Sequence, residues 1–284
     1  MKLYIPPVEK GLWVMTLICF TAICTSGTSV WAGEGGWYPK GDVFTRLVAD
    51  PKEPQNFMVV ADLEPFEDAD RVSAWFVGIG ESFGLYRRSS QGKDDGWQVS
   101  VFAAAFSQFN LDGPSNDLIN TDYQVGVPFS FRRGPFSLRA RFFHQSSHLG
   151  DELLLGPNPP QRINLSFEAI DVLFAFKWNG WRPYAGGAYA VHVDPRELER
   201  GLYQAGIDYR HAKGWLGGID VKWLEQRNWG PGSSAMVGYR FGPNRGPEGR
   251  AMSARLVYYD GVSPFGQFFV QDISYWGAGV WFQF

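Results

Sequence analysis

The sequence predicts an all-β fold, a transmembrane antiparallel up-and-down β-barrel of about twelve strands. Three observations carry this prediction. The chain ends on a strand with one apolar face, short and long turn signals alternate along it at strand spacing, and beyond the amino terminus no stretch approaches the roughly 20 apolar residues of a membrane helix. Aromatic residues make up 17% of the chain and the net charge is only −3, so the composition offers no basic excess for nucleic acid.

The closing strand is the most informative element. Counted backwards in twos from the carboxyl terminus, Phe284, Phe282, Val280, Ala278 and Trp276 form an unbroken apolar face. An unpaired strand of this kind would be an aggregation-prone edge, whereas a closed barrel pairs it with the first strand. Its terminal Phe resembles the ending of outer-membrane barrels, which implies that Phe284 is read by the outer-membrane insertion machinery.

The amino terminus predicts export. Residues 1–32 have a weakly basic start, a charge-free apolar run over 11–24, and small residues up to Ala32, which is the pattern of a signal peptide cleaved near Ala32. Both cysteines, Cys19 and Cys24, lie in this segment, so the mature chain has no thiol chemistry. The predicted location is the outer membrane of a Gram-negative-type bacterium.

Turn signals divide the rest of the chain. Short turns are predicted at 132–135, 179–180 and 213–214, on the periplasmic rim, and longer extracellular connections between them. The strands between these turns are predicted at 56–63, 72–87, 97–109, 121–132, 135–147, 163–178, 181–193, 202–212, 215–225, 233–241, 251–260 and 268–284. The barrel therefore spans 56–284, and residues 33–55 are predicted to be a periplasmic lead-in.

Alternation along the strands separates a lipid-facing side from a lumen-facing side. The predicted lumen-facing charges have both signs: Arg139, Arg141, Asp171, Lys177, Asp208, Arg210, Asp220, Lys222, Arg240 and Arg255. A ring of one sign would suggest an ion-selective channel, whereas mixed signs in a narrow barrel favour a lumen filled by ion pairs. A wide pore is therefore not expected.

One polar cluster stands on the predicted lipid-facing side. In the strand beginning at Phe136, the outward parity includes His144, Ser146 and His148, next to the extracellular rim. Two residues apart on one strand, His144 and Ser146 project side by side, so the imidazole can take the hydroxyl proton. On the following strand, Asn164 and Glu168 share the outward parity.

This His-x-Ser pair is similar to that of the outer-membrane phospholipase A and lipid A 3-O-deacylase families. The resemblance implies that His144 is a base, Ser146 a nucleophile, and Asn164 or Glu168 the group that orients the imidazole. It also implies outer-leaflet lipid as a partner. Calcium is the one cofactor that it suggests, with Asp151 and Glu152 as candidate oxygen ligands.

A broader resemblance covers most of the mature chain. The segment 49–54, the segment 144–152 and the closing strand resemble a bacterial family catalogued as domain of unknown function 1207. That resemblance implies the barrel and carries no activity with it.

Three functional hypotheses remain open at this point. The first is a non-catalytic outer-membrane barrel with a structural or narrow-channel role. The alternative is a lipid esterase or phospholipase-like hydrolase that acts on outer-leaflet lipid through the exterior His/Ser site. A third, a surface-interaction protein that uses its extracellular loops, has no specific sequence support. The sequence does not indicate an oligomeric state.

Overall fold

A computed structural model describes residues 35–64, 71–90, 95–156, 162–242 and 250–284. The predicted signal peptide, 1–32, lies outside these residues. The strands are β1 Gly35–Trp37, β2 Asn56–Glu64, β3 Val72–Ser89, β4 Gly96–Asn110, β5 Asp117–Arg133, β6 Phe136–Leu149, β7 Leu165–Phe176, β8 Trp181–Asp194, β9 Gly201–Arg210, β10 Trp215–Leu224, β11 Gly230–Phe241, β12 Ala251–Val262 and β13 Asp272–Gln283. A short helix, α1, spans Asp151–Leu154. No helix among the described residues is long and apolar enough to cross a membrane.

Strands β2 to β13 form a closed antiparallel barrel of twelve strands, as predicted. Each strand pairs with its neighbours in the chain, and the closure joins β13 to β2 along a register that includes Val280 opposite Met58. The closing strand therefore has no free edge within the barrel. The extra strand, β1, was not predicted and pairs with the last residues of β3.

The two ends of the barrel differ in their connections. The end that carries Phe284, here called the terminal end, has tight turns such as Asn179-Gly180, where both residues have positive φ (47° and 85°). This geometry suits a two-residue hairpin, and Trp178 and Trp181 pair across it. The opposite end, here called the loop end, carries the longer connections, including α1.

The outer surface is apolar, as the alternation predicted. Along β10, Trp215 and Ile219 are exposed, while Leu216 and Asp220 point into the barrel and are buried. Aromatic side chains contact one another around the terminal end, in the pairs Trp97–Phe129, Phe136–Phe176, Trp181–Tyr209 and Trp215–Tyr239. Such a row of aromatic residues is typical of the membrane–water boundary of a transmembrane barrel.

The predicted lumen-facing charges lie inside the barrel, with one exception. Lys177 is exposed in the turn after β7. Several of the others form ion pairs, such as Arg141 with Asp171 and Arg210 with Asp208. The lumen therefore combines charges of both signs, as the sequence indicated.

The stretch predicted as a periplasmic lead-in needs a correction, because most of it lies inside the barrel. After β1, residues 42–55, here called the luminal segment, enter from the terminal end and return there to begin β2. Phe44 and Leu47 pack with Leu173 and Tyr184, and Val48 joins a second buried cluster. Burial of these apolar side chains against the barrel wall stabilises the segment inside the lumen.

Three buried ion pairs anchor the middle of the luminal segment. Lys52 Nζ lies 2.5 Å from Asp122 Oδ2, and Arg139 Nη1 lies 2.8 Å from Glu53 Oε1. The third joins Lys222 Nζ to Asp50 Oδ1 at 2.6 Å. Each pair combines one residue of the segment with one wall residue, so the segment supplies the counter-charges that complete the lumen.

Candidate functional site

The exterior polar cluster begins with a histidine and a glutamate on adjacent strands. His144 on β6 stands directly opposite Glu168 on β7 in the strand register. The His144 Nδ1 and Glu168 Oε1 atoms are 2.7 Å apart, which is a hydrogen-bond distance. The two side chains are about 41% and 32% exposed, on the outward face that the alternation predicted.

A second imidazole contacts the same carboxylate. His192 Nδ1 on β8 lies 2.9 Å from Glu168 Oε2, so each carboxylate oxygen has its own histidine partner. The register between β7 and β8 shifts between Glu168 and Ala169, and this irregularity places His192 opposite Glu168. Without the shift, the alternation from Ala190 would turn His192 toward the lumen.

Ser146 lies two residues beyond His144 on the same face of β6, opposite Ser166 on β7. Among the described residues, neither the Ser146 hydroxyl nor His144 Nε2 has a hydrogen-bond partner. Glu168 holds the imidazole through Nδ1, which leaves Nε2 as the nitrogen that can accept a proton from a hydroxyl. The arrangement supplies a hydroxyl, a base and an orienting carboxylate on one face of the barrel.

The site lies where the apolar exterior ends. The outward neighbours of His144 toward the terminal end are Phe142 and Ile170, which are about half exposed. Toward the loop end, His148 contacts the edge of the Tyr123 ring. A lipid at the barrel surface would therefore meet the cluster with its chains against the apolar residues.

Asn164, the other candidate for the orienting group, lies away from His144. Asn164 precedes β7, and its Nδ2 donates to Asp194 Oδ2 at 2.7 Å. Asn164 lies four residues before Glu168, which corresponds to about 13 Å of extended chain. This distance is too long for Asn164 to contact His144. Ser147, the residue after Ser146, points inward, and its hydroxyl lies within hydrogen-bonding distance of both Asn120 Oδ1 and Asp122 Oδ1.

The candidate calcium ligands do not form a metal site by themselves. Asp151 and Glu152 are exposed in the single turn of α1. Within the described residues, no group of three or more His, Cys, Asp and Glu side chains is arranged to hold a metal ion. The two carboxylates alone fit calcium poorly, because this ion takes six to eight oxygen ligands.

His192 is not among the residues that the sequence pattern singled out, and its contact with Glu168 was not predicted. The position of a register shift depends on three-dimensional pairing, so the parity count could not show it. In the sequence, Val191, His192 and Val193 continue a regular apolar–polar–apolar alternation, so no local signal marks the bulge.

These features define the class of the protein: it is an integral membrane β-barrel of the bacterial outer-membrane type. Its fold is similar to that of outer membrane phospholipase from Salmonella typhi, solved as a dimer with bound calcium, at 12% identity and a TM-score of 0.60 over 81% of this chain and 91% of that chain. An active-site mutant of outer membrane phospholipase A from Escherichia coli is similar at 12% identity and a TM-score of 0.59, over 93% and 96% of the two chains.

The chain belongs to the family of proteins of unknown function DUF1207, whose model matches residues 15–284. The resemblance inferred from segments 49–54 and 144–152 and from the closing strand is thereby confirmed. A comparison with curated proteins gives no significant match.

Proposed function

We propose that this protein is a serine hydrolase that cleaves ester bonds of lipids at the surface of its barrel. Ser146 is the nucleophile, His144 the general base and Glu168 the orienting carboxylate. The observation that carries the proposal is the 2.7 Å contact between His144 Nδ1 and Glu168 Oε1 on the outward face. A carboxylate and an imidazole are expensive against lipid, so a functional role is the simplest reason for their position.

The proposed reaction uses Nε2 of His144, the ring nitrogen that does not face Glu168. His144 Nε2 takes the Ser146 proton as the hydroxyl oxygen attacks the ester carbonyl, and it then protonates the departing alcohol. Water, activated by the same imidazole, hydrolyses the acyl-serine and releases a fatty acid. Glu168 stabilises the imidazolium in both steps because its carboxylate faces Nδ1.

The substrate class follows from the surroundings of the site. A water-soluble ester would approach through the aqueous lumen or the loops, whereas Phe142 and Ile170 beside His144 suit acyl chains. With the terminal end in the periplasm, the site faces outer-leaflet lipid. The solved barrels of the same fold carry the name phospholipase, which agrees with this substrate class.

The test is the release of fatty acid from phospholipid vesicles and from lipid A by the full mature protein, with and without calcium. Ser146→Ala and His144→Ala should each reduce the rate by at least about a thousandfold. Both side chains lie on the exterior and bury little core, so the barrel should remain folded. Unchanged rates in either variant would overturn the assignment.

Ser147→Ala is the matched control. Ser147 is the next residue on β6 but points into the lumen, and Asp122 keeps the Lys52 ammonium as a partner after the change. Activity should therefore persist. Equal losses from Ser146→Ala and Ser147→Ala would mean that the serine variants act through the fold, not through nucleophilic attack.

A non-catalytic barrel is the second candidate, and the luminal segment bears on it. Buried ion pairs at Lys52 and Glu53 hold that segment across the lumen, which favours a structural role over an open channel. Absence of lipid hydrolysis by the wild-type protein on all substrates, with correct folding, would favour this candidate.

A further inference from the structure

A cavity of about 680 Å³ lies at the terminal end of the barrel, on the opposite side of the luminal segment from the loop end. Its walls include Arg210 of β9, Arg240 of β11 and Arg255 of β12, with Arg250 at the rim. The exterior His/Ser site takes no part in it. A space of this volume holds a ligand considerably larger than a water molecule or a simple ion.

The strand register places Arg210 and Arg255 on the same side of the cavity. Arg210 pairs with Leu216, Leu216 with Gly238, and Gly238 with Arg255, so these four residues form a single row across four strands. The backbones of Arg210 and Arg255 are about 14 Å apart, a span that two long side chains can close around a ligand. Gly238 allows the Arg255 side chain to lie close over β11, because a Cβ at this position would come within 2.8 Å of Arg255 Cγ.

Contacts with the luminal segment fix both guanidinium groups in place. Arg210 Nη2 donates to the Arg46 carbonyl at 2.7 Å, and Arg255 Nη1 donates to the Val48 carbonyl at 3.1 Å. The Arg255 guanidinium also lies over the Trp281 ring, 4.5 Å from its centre. These groups are therefore positioned before any ligand arrives, which reduces the entropy lost on binding.

The charges around the cavity do not balance. Asp42 and Glu81 both contact Arg46, and Asp208 is shared by Arg182 and Arg210. In the described part of the chain, no carboxylate lies within ion-pair distance of Arg255. The Arg255 guanidinium donates to the neutral oxygens of Ser253, Val48 and Gln55, so its hydrogen bonds are satisfied but its charge is not balanced there, and an anion would supply the counter-charge.

We propose that this cavity binds a soluble oligoanion whose phosphate or carboxylate groups are held by Arg210 and Arg255. Planar guanidinium groups bind both kinds of anion through paired N–H donors. Arg240 lies two residues from Gly238 toward the terminal end, and together with Arg250 it adds positive charge at the entrance. On the orientation proposed above, the ligand enters from the periplasm.

Isothermal titration of the full mature protein in a non-ionic detergent tests the proposal, with pyrophosphate and citrate as separate probes at low salt. Saturable binding of one ligand per barrel is expected for at least one probe. The tighter of the two probes identifies phosphate or carboxylate as the preferred group. Arg255→Gln should weaken binding about tenfold or more. Absence of saturable binding by both probes would overturn the proposal.

Two further variants separate binding from folding. Arg250→Gln changes an exposed rim residue and should weaken binding a fewfold without affecting the fold, even if Arg255→Gln fails to assemble. Arg196→Gln, an exposed arginine in the connection after β8, should leave binding unchanged. If binding is insensitive to both Arg255→Gln and Arg250→Gln, or if Arg196→Gln weakens it equally, the cavity is not the binding site.

Discussion

At the residue scale, Glu168 organises the exterior cluster because each of its oxygens contacts a different histidine. The contacts with His144 and His192 fix the carboxylate in two directions, so it cannot rotate away from the imidazole of His144 without losing the other partner. In catalytic triads, the hydrogen bond between the acid and Nδ1 keeps the base in the right tautomer. His192 is therefore a positioning residue in the proposed mechanism.

Substitutions at Glu168 and Asn164 show which of the two residues orients the imidazole of His144. Glu168→Gln should lower kcat for lipid hydrolysis by about a hundredfold to ten-thousandfold, since an amide can leave His144 in the wrong tautomer. Asn164→Ala should change kcat less than about threefold, because Asn164 contacts Asp194. Steady-state rates on the same phospholipid vesicles measure both. A larger loss from Asn164→Ala than from Glu168→Gln would contradict this arrangement.

Asp50 is the charged residue in the luminal segment with the clearest electrostatic signature. Burial by itself would raise the pKa of its carboxyl. The attraction of the Lys222 ammonium, with hydrogen bonds from Lys222 and from the Lys52 backbone N–H, lowers the pKa to about 2. Asp50 therefore remains ionised in the folded protein to a lower pH than in the unfolded chain.

This depressed pKa predicts acid sensitivity. Because the folded pKa lies below the usual value of 3.8, Asp50 stabilises the folded state by about 2 kcal/mol above pH 4, and the stabilisation is lost as the pH falls toward 2. The measurement is the temperature of barrel unfolding between pH 5 and pH 2. Asp50→Asn should lower that temperature at pH 5 and flatten its decline with acid. An equally steep decline in Asp50→Asn would assign the acid sensitivity to other carboxylates.

At the element scale, the luminal segment is the feature that distinguishes this barrel from an open pore. The segment places Phe44 and Leu47 against wall residues and matches three of its charges with charges of the wall. Loss of one partner from a buried ion pair costs about 3 to 5 kcal/mol, because the other charge is left without a partner. The segment is thus held at several separate points.

Removal of the ion pairs between the luminal segment and the wall should open the lumen. In planar lipid bilayers the wild-type protein should conduct very little, whereas Lys52→Met combined with Glu53→Gln should show frequent open events. The reason is that Asp122 and Arg139 then lose their partners in the segment. Arg71→Gln is a suitable control, since Arg71 forms only exposed ion pairs near the loop end. Large steady currents from the wild-type protein would contradict a lumen closed by this segment.

At the scale of the whole molecule, closure of the sheet accounts for its stability in a membrane. Strand β13 pairs with β2, so backbone donors and acceptors of the wall are satisfied between neighbouring strands. A barrel of this kind should migrate differently on detergent gels before and after heating, because unfolding requires cooperative opening of the wall. Identical migration would be incompatible with the closed barrel.

The terminal residue is expected to matter for assembly more than for stability. Phe284 follows the last residue of β13 and is 78% exposed, so it buries little surface. If the insertion machinery reads this residue, deletion of Phe284 or Phe284→Asp should reduce the amount of protein in the outer membrane and leave protease-sensitive chains in the periplasm. Exposed Phe176→Leu, near the same end, should leave membrane levels unchanged. Normal levels of the Phe284 variants would rule out such a role.

The sequence by itself determined the barrel, its twelve strands and the face on which most side chains of the wall lie. Alternation with a period of two is a local property of a strand, and a turn such as Asn179-Gly180 carries its own conformational signal. For the same reason, the outward parity of His144, Ser146 and Glu168 could be predicted. That part of the candidate site required no knowledge of distant contacts.

Only the tertiary structure decided which groups meet. The luminal segment shows no strand period, and its partners Asp122, Arg139 and Lys222 are about 70 to 170 residues away in the sequence. Whether Asn164 or Glu168 contacts His144 depends on the register between β6 and β7, and the position of His192 depends on a register shift. These arrangements arise from pairing and packing across the closed barrel, which local sequence patterns do not encode.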